Sequence, residues 1–150
     1  MTDLFSPMTM SHGPAMKNRF MLAPLTNQQS HADGRLSDDE FKWLTKRAEG
    51  GFGLTMTCAA HVQAVGQGFP GQLGVFGDQH LEGLTRLAST IKGHGSVAAL
   101  QMHHAGNRSP AALVGQAVCP SDDPETGARG LSTGEVEQLV EDFEIGRAHV

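Results

Sequence analysis

The sequence predicts an α/β fold with parallel strands, read as the mouth of a βα barrel, and three observations carry that reading. Three short apolar runs, Phe20–Thr26, Gly53–Ala60 and Ala99–Gly106, have strand length and end abruptly in polar, proline or histidine residues. Buried strands that empty into a ligand site have this pattern. Helical patterns separate the runs, and the Pro/Gly-rich connections after each strand are much longer than those from helix back to strand, which places a functional face at the strands' C-terminal ends. Sequential parallel strands joined by helical crossovers fit either a closed barrel or an open doubly wound sheet.

Each helix has its own punctuation. Ser37-Asp-Asp-Glu40 is a capping box, in which Ser37 accepts from an early amide and Glu40 reaches back; Phe41, Leu44 and Ala48 then share a face, and Gly50-Gly51 stops the helix. Asp78 is expected to cap a second helix with the stripe Leu81, Leu84, Leu87, Ala88 and Ile91, closed by Gly93 in a left-handed conformation. Ser132–Glu135 repeats the capping-box pattern before Val136, Leu139, Val140 and Phe143. The Met- and Pro-rich segment 1–18 is read as a hairpin or plug beneath the sheet.

Composition narrows the function. The 150 residues are 39% hydrophobic and 18% charged, as in globular proteins, and 16 acidic against 11 basic residues give a net charge of −5. No broad basic face is available for phosphate backbones, so nucleic acid is not the expected partner. No apolar run reaches the roughly 18 residues that span a bilayer, and Met1-Thr-Asp-Leu does not resemble an export signal, so no membrane association and a cytoplasmic location are expected. The two cysteines, Cys58 and Cys119, are expected to be reduced thiols.

Two motifs require weighing. Gly66-Gln-Gly68-Phe-Pro-Gly71 satisfies G-x-G-x-x-G literally, but the dinucleotide motif must open directly into a helix. Pro70 removes an amide and the helix starts only near Asp78, so these glycines are read as a flexible rim loop. His103 and His104 are consecutive, so on a strand they face opposite sides. With His61 and Cys58 they offer an alternative reading as ligands of a metal-dependent barrel hydrolase. That reading is weakened because there is no His-x-His pair at a strand end and no carboxylate close after a run.

At the level of whole segments, KNRFMLAPLT (Lys17–Thr26), the TCAA end of the second run, and LQMHHAGNR (Leu100–Arg108) resemble the N-terminal part of the Old Yellow Enzyme family, the FMN-dependent ene-reductases or NADH:flavin oxidoreductases. SDDEFKWLTKRAEGGFGL and GFPGQLGVFGD are similar to the same family, and the resemblance runs to about Phe143. It implies a (β/α)8 TIM barrel of which only the first three βα units are present. It also implies non-covalent FMN, NAD(P)H as reductant, a small enone-type substrate and, as one option, a homo-oligomer.

The resemblance places Pro24, Leu25 and Thr26 against the flavin ring, with the Thr26 hydroxyl at the O4/N5 edge, where donation to O4 favours negative charge on the reduced ring. Ala59 matches the small residue that lets the ring approach the backbone. Gln101 matches the glutamine that donates to O2 and accepts from N3–H of the pyrimidine edge; one planar amide supplies both. Read without the resemblance, a glutamine inside Val97–Met102 must bury an amide, which is unfavourable by roughly a few kcal/mol unless it is paired.

Departures from the family accompany these matches. Asn107 is inserted before Arg108, Gln28 stands where some members place an active-site tyrosine, and the chain holds no tyrosine. The family's proton donor, substrate-anchoring pair and phosphate contacts come later in the barrel, so no catalytic residue is assigned here. A barrel of this type needs about 250 residues. The chain is therefore expected to be a fragment that is inactive by itself. Its tail Glu144–Val150, EIGRAHV, matches the translation of a common sequencing-adapter oligonucleotide and is expected to be non-native.

Overall fold

The computed structural model describes the backbone of residues 3–148 and the side chains of residues 3–144; the side chains of the adapter-like tail beyond Glu144 lie outside the described residues. Three parallel strands form a sheet in the order β1-β2-β3, with β1 at Met21–Leu22, β2 at Leu54–His61 and β3 at Val97–His103. Helices α1 (Asp38–Glu49), α2 (Leu81–Gly93) and α4 (Thr133–Ala148) alternate with them, and the short α3 (Ala111–Val114) lies in the last connection.

β1 is far shorter than the predicted Phe20–Thr26. The Phe20 carbonyl accepts from Gly53 and Leu54, but Pro24 has no amide to give the ladder, and the chain leaves the sheet after Leu22. Leu73–Val75 takes the vacated place beside the end of β2: His61 N–H donates to Leu73 O, and Val75 N–H donates to His61 O. Leu73 and Val75 are consequently fully buried.

The helices cover one face of the sheet. Leu22, Leu44, Ala48, Leu87 and Ile91 form one buried cluster, and Cys58, Ala60, Val62, Leu73, Val75 and Leu84 form a second, against which Leu100 and Met102 pack. The register shifts between Met56 and Ala59, where two residues of β2 stand opposite one of β3. The Thr57 hydroxyl sits in this bulge, donating to Cys58 O and accepting from Gln101 N–H.

Several predicted boundaries move. Ser37 caps α1 through Glu40 N–H as expected, and Gly51 follows at φ +107°. Asp78 does not cap α2: it opens a single 3-10 turn, Asp78–His80, and α2 starts at Leu81 without a side-chain cap. The left-handed closing residue is Gly95 (φ +67°), while Gly93 is still helical, because the turn needs Gly95 N–H to return to Lys92 O. On α4, Leu139 and Phe143 pack on the core, but Val136 and Val140 are exposed, so only one side of the predicted stripe is used.

Residues 8–16 form a hairpin through reciprocal Met8 and Met16 backbone bonds, and it leads into contacts beneath the strands: Lys17 Nζ donates to His94 O and Asn18 Nδ2 to Gly51 O. The connection after β3 holds an unpredicted two-stranded parallel sheet, β4 (Val118–Cys119) with β5 (Arg129–Gly130). Asp123 braces it by accepting from Asn107 and from the Thr126 hydroxyl. Cys58 and Cys119 are both buried and free. Among the described residues, no helix is long and apolar enough to cross a membrane.

Candidate functional site

The C-terminal ends of β1, β2 and β3 share one edge of the sheet, so Pro24–Thr26, Ala59–His61 and Gln101–His104 all belong to that edge. The bulge decides which way they face. Leu100 and Met102 point to the helices, which turns Gln101 and His103 to the opposite face, and past the bulge the register pairs Ala59 with Gln101 and His61 with His103. Ala59 and Gln101 are thus brought side by side. Pro24, Leu25 and Thr26 leave the adjacent strand; Pro24 is half-buried, while Leu25 and Thr26 are exposed.

Gln101 departs from expectation in one respect. Its amide is not buried: the side chain is exposed and, among the described residues, its carboxamide has no protein partner. The reason is positional, because β3 is the edge of the three-stranded sheet and its non-helical face is left open at Gln101, while the rim loop covers it at His103. The buried carboxamide belongs to Gln72 instead, which is fully enclosed. Its Nε2 donates to Ala59 O (2.9 Å) and to His103 Nδ1 (3.2 Å), and its Oε1 accepts from Gly68 N–H (2.6 Å). One amide therefore joins the rim loop, β2 and β3.

That loop is the G-x-G-x-x-G segment, and it is anchored rather than loose. Ser30 N–H donates to Gly71 O and Ala105 N–H to Gly66 O. At Gly71 (φ +66°) a Cβ would stand 2.5 Å from Gln28 O, so only glycine allows the rim loop to approach the β1–α1 loop. Gln28 is itself left-handed (φ +54°). No helix follows the glycines directly, so their amides do not line up as a pyrophosphate cradle.

Burial disfavours the charged form of the three strand-end histidines. Burial lowers the pKa of His61 against a raising hydrogen bond to Gln63 O, burial alone lowers that of His103, and burial followed by the neighbouring His103 and His61 lowers that of His104. His104 accepts from Gly106 N–H at Nδ1 and donates from Nε2 to Gln63 Oε1 (3.2 Å). His61 donates from Nδ1 to Gln63 O, leaving Nε2 buried and without a partner. The metal-hydrolase alternative finds no site: among the described residues, no three His, Cys, Asp or Glu side chains are grouped to hold an ion. Two of these rings are committed to Gln63 and one to Gln72.

Glu40 also escapes sequence reasoning. It does not reach back to close the capping box; it is fully buried and accepts from Asn27 Nδ2, the Ser30 hydroxyl and Cys58 Sγ. Burial, followed by the adjacent carboxylate, pushes the Cys58 thiol pKa far up. The signal for Glu40 is present in the spacing, because Glu40, Leu44 and Ala48 fall on one helical stripe. Gln72 gives no such signal, since burial within a loop leaves no periodicity.

Comparison with known proteins places the chain. Residues 3–147 match the model of the NADH:flavin oxidoreductase / NADH oxidase family. The chain is 37% identical over 145 residues to a probable NADH-dependent flavin oxidoreductase, YqiG, of Bacillus subtilis, with 93% of this chain and 39% of that protein covered. It is also 37% identical over 124 residues to an NADPH dehydrogenase of Bacillus pumilus, covering 82% of this chain and 36% of the relative. An Old Yellow Enzyme homologue from Zymomonas mobilis superposes with a TM-score of 0.89 at 25% identity, over 99% of this chain and 45% of its own. The chain thus spans about two fifths of the length of these three proteins, and its sheet and helices are part of a (β/α)8 barrel. Within that shared architecture, the sequence places the chain in the NADH:flavin oxidoreductase / NADH oxidase family.

Proposed function

We propose that the protein is an FMN-dependent oxidoreductase that reduces activated C=C bonds of the α,β-unsaturated carbonyl type, with hydride drawn from NAD(P)H. The observation that carries this reading is the pairing of Ala59 with Gln101 on the open face of the sheet. An exposed carboxamide keeps a donor and an acceptor in one plane, and the methyl group beside it leaves room for a flat ring. The donor set therefore fits FMN, which when bound supplies reversible two-electron hydride chemistry.

In this reading Gln101 donates to O2 and accepts from N3–H of the flavin's pyrimidine edge. The Thr26 hydroxyl donates to O4 and favours negative charge there, and Pro24, Leu25 and Ala59 provide backbone or van der Waals contact. The reducing nucleotide and the enone-type acceptor occupy the same face in turn, which agrees with the lack of a helix directly after Gly66–Gly71. Gln28 occupies the position where some members carry an active-site tyrosine, and the proton donor is not among these residues. The 1–150 chain is read as part of a single flavin-binding barrel domain in the cytoplasm.

The experiment is flavin uptake. The whole barrel protein that carries residues 1–150, mixed with FMN and passed through gel filtration, is expected to retain the yellow cofactor and quench its fluorescence. FMN eluting wholly free of the protein would refute the reading.

A further inference from the structure

Glu40 brings a carboxylate into a position where packing alone would be served by an apolar side chain. It is wholly buried, and among the described residues none of the ion pairs includes it. An ionised carboxylate so placed is strongly unfavourable unless donors surround it. Three neutral donors do so: Asn27 Nδ2 at 3.1 Å, the Ser30 hydroxyl, and Cys58 Sγ at 3.1 Å. The first turn of α1 adds the positive end of its dipole.

The positions of those donors matter more than their number. Asn27 follows Thr26 directly, Ser30 lies on the same loop, and Cys58 precedes Ala59. Beyond Leu22 the β1–α1 loop has no strand pairing to hold it, because Pro24 has ended the ladder. We propose that Glu40 is a positioning residue whose buried carboxylate ties the Pro24–Thr26 segment to β2, fixing the two walls of the flavin edge relative to each other. The inference rests on the FMN reading above. The carboxylate does not touch the ring; it acts through Asn27 and Cys58, and the thiol serves as a hydrogen-bond donor.

The test compares three variants of the whole barrel protein that carries this chain with the unaltered protein. Glu40→Gln keeps the shape but removes the charge and points an amide N–H₂ at existing donors; Asn27→Ala removes one tie and leaves the core intact. Asp38→Asn alters an exposed carboxylate in the same first turn, paired only to Arg86, and serves as the control. FMN affinity is expected to fall about tenfold in Glu40→Gln and about fivefold in Asn27→Ala, as expected for lost hydrogen bonds of ordinary strength. The absorbance band of the bound flavin should shift in both, and the control should bind like the unaltered protein.

A brace with no role at the ring would lower the melting temperature while leaving affinity and flavin spectrum unchanged; that result overturns the proposal. If Glu40→Gln does not fold, Asn27→Ala decides by the same two readings. Unaltered protein that takes up no FMN overturns the function reading, and this inference with it. Uptake by the unaltered protein with unchanged binding and spectrum in the variants overturns the inference alone.

Discussion

The two faces of the three-stranded sheet are built on opposite principles. On the helix-facing side, Leu44, Ala48, Leu87 and Ile91 are buried, and the polar groups that penetrate there, Glu40 and the Thr55–Ser96 hydroxyl pair, are hydrogen-bonded. On the other side Met21 is half exposed, and the Gln101 carboxamide has no partner among the described residues. The hydrogen-bonded polar groups of the helix side and the free carboxamide of the other separate residues that hold the fold from one available to a ligand. A free carboxamide on the open face is a binding group that the protein does not use for itself.

That contrast breaks most readily in the helix-facing core. Leu44→Ala removes a fully buried side chain from that cluster and should destabilise the protein by about 2–5 kcal/mol in urea unfolding. Met21→Ala on the open face should stay within about 0.5 kcal/mol, the range of ordinary surface changes. Equal losses would mean that the open face is covered in solution, and the division of roles would fail.

Gln101→Leu sharpens the contrast from the functional side. Two hydrogen bonds to the flavin's pyrimidine edge, at about 1 kcal/mol each, predict FMN affinity about thirtyfold weaker in a fluorescence titration. The exposed position predicts little change in unfolding midpoint. A large loss of stability without loss of affinity would identify Gln101 as a structural residue.

Much of this division is legible in the sequence, and the residues say why. The stripe Phe41, Leu44, Ala48 and the run Leu54–His61 follow the two periods of helix and strand, and Gly50-Gly51 is a local stop, so these elements can be read without tertiary information. The end of β1 cannot, because one proline hands its place to Leu73–Val75, some fifty residues away in sequence. Burial in apolar runs assigns the enclosed amide to Gln101, and that rule fails at a sheet edge. Gln72 and the β4–β5 pair lie in connections, where packing across the mouth, rather than any local pattern, determines what is enclosed. The alternation that matters most, Ala59 beside Gln101, depends on a bulge at Thr57-Cys58 whose hydroxyl replaces a ladder partner.

The smallest expected effect lies at the start of α4, where the second capping box is complete. Glu135 N–H donates to the Ser132 hydroxyl, Ser132 N–H returns to Glu135 Oε2, and Arg129 adds a two-pronged pair to the same carboxylate. The Arg129 guanidinium, followed by the Ser132 amide and hydroxyl, lowers the Glu135 pKa from its usual 4.5 to about 2. A carboxyl held lower in the folded state than in the unfolded one stabilises the fold above the unfolded value and loses that contribution as pH falls toward the folded value. Helicity followed by circular dichroism should therefore fall slightly between pH 4.5 and about 2. Glu135→Gln should flatten that step and leave the core-dominated melt near neutral pH almost unchanged, since the site is exposed and screened by solvent. A step that persists unchanged in Glu135→Gln would show that the acid sensitivity does not arise at this capping box.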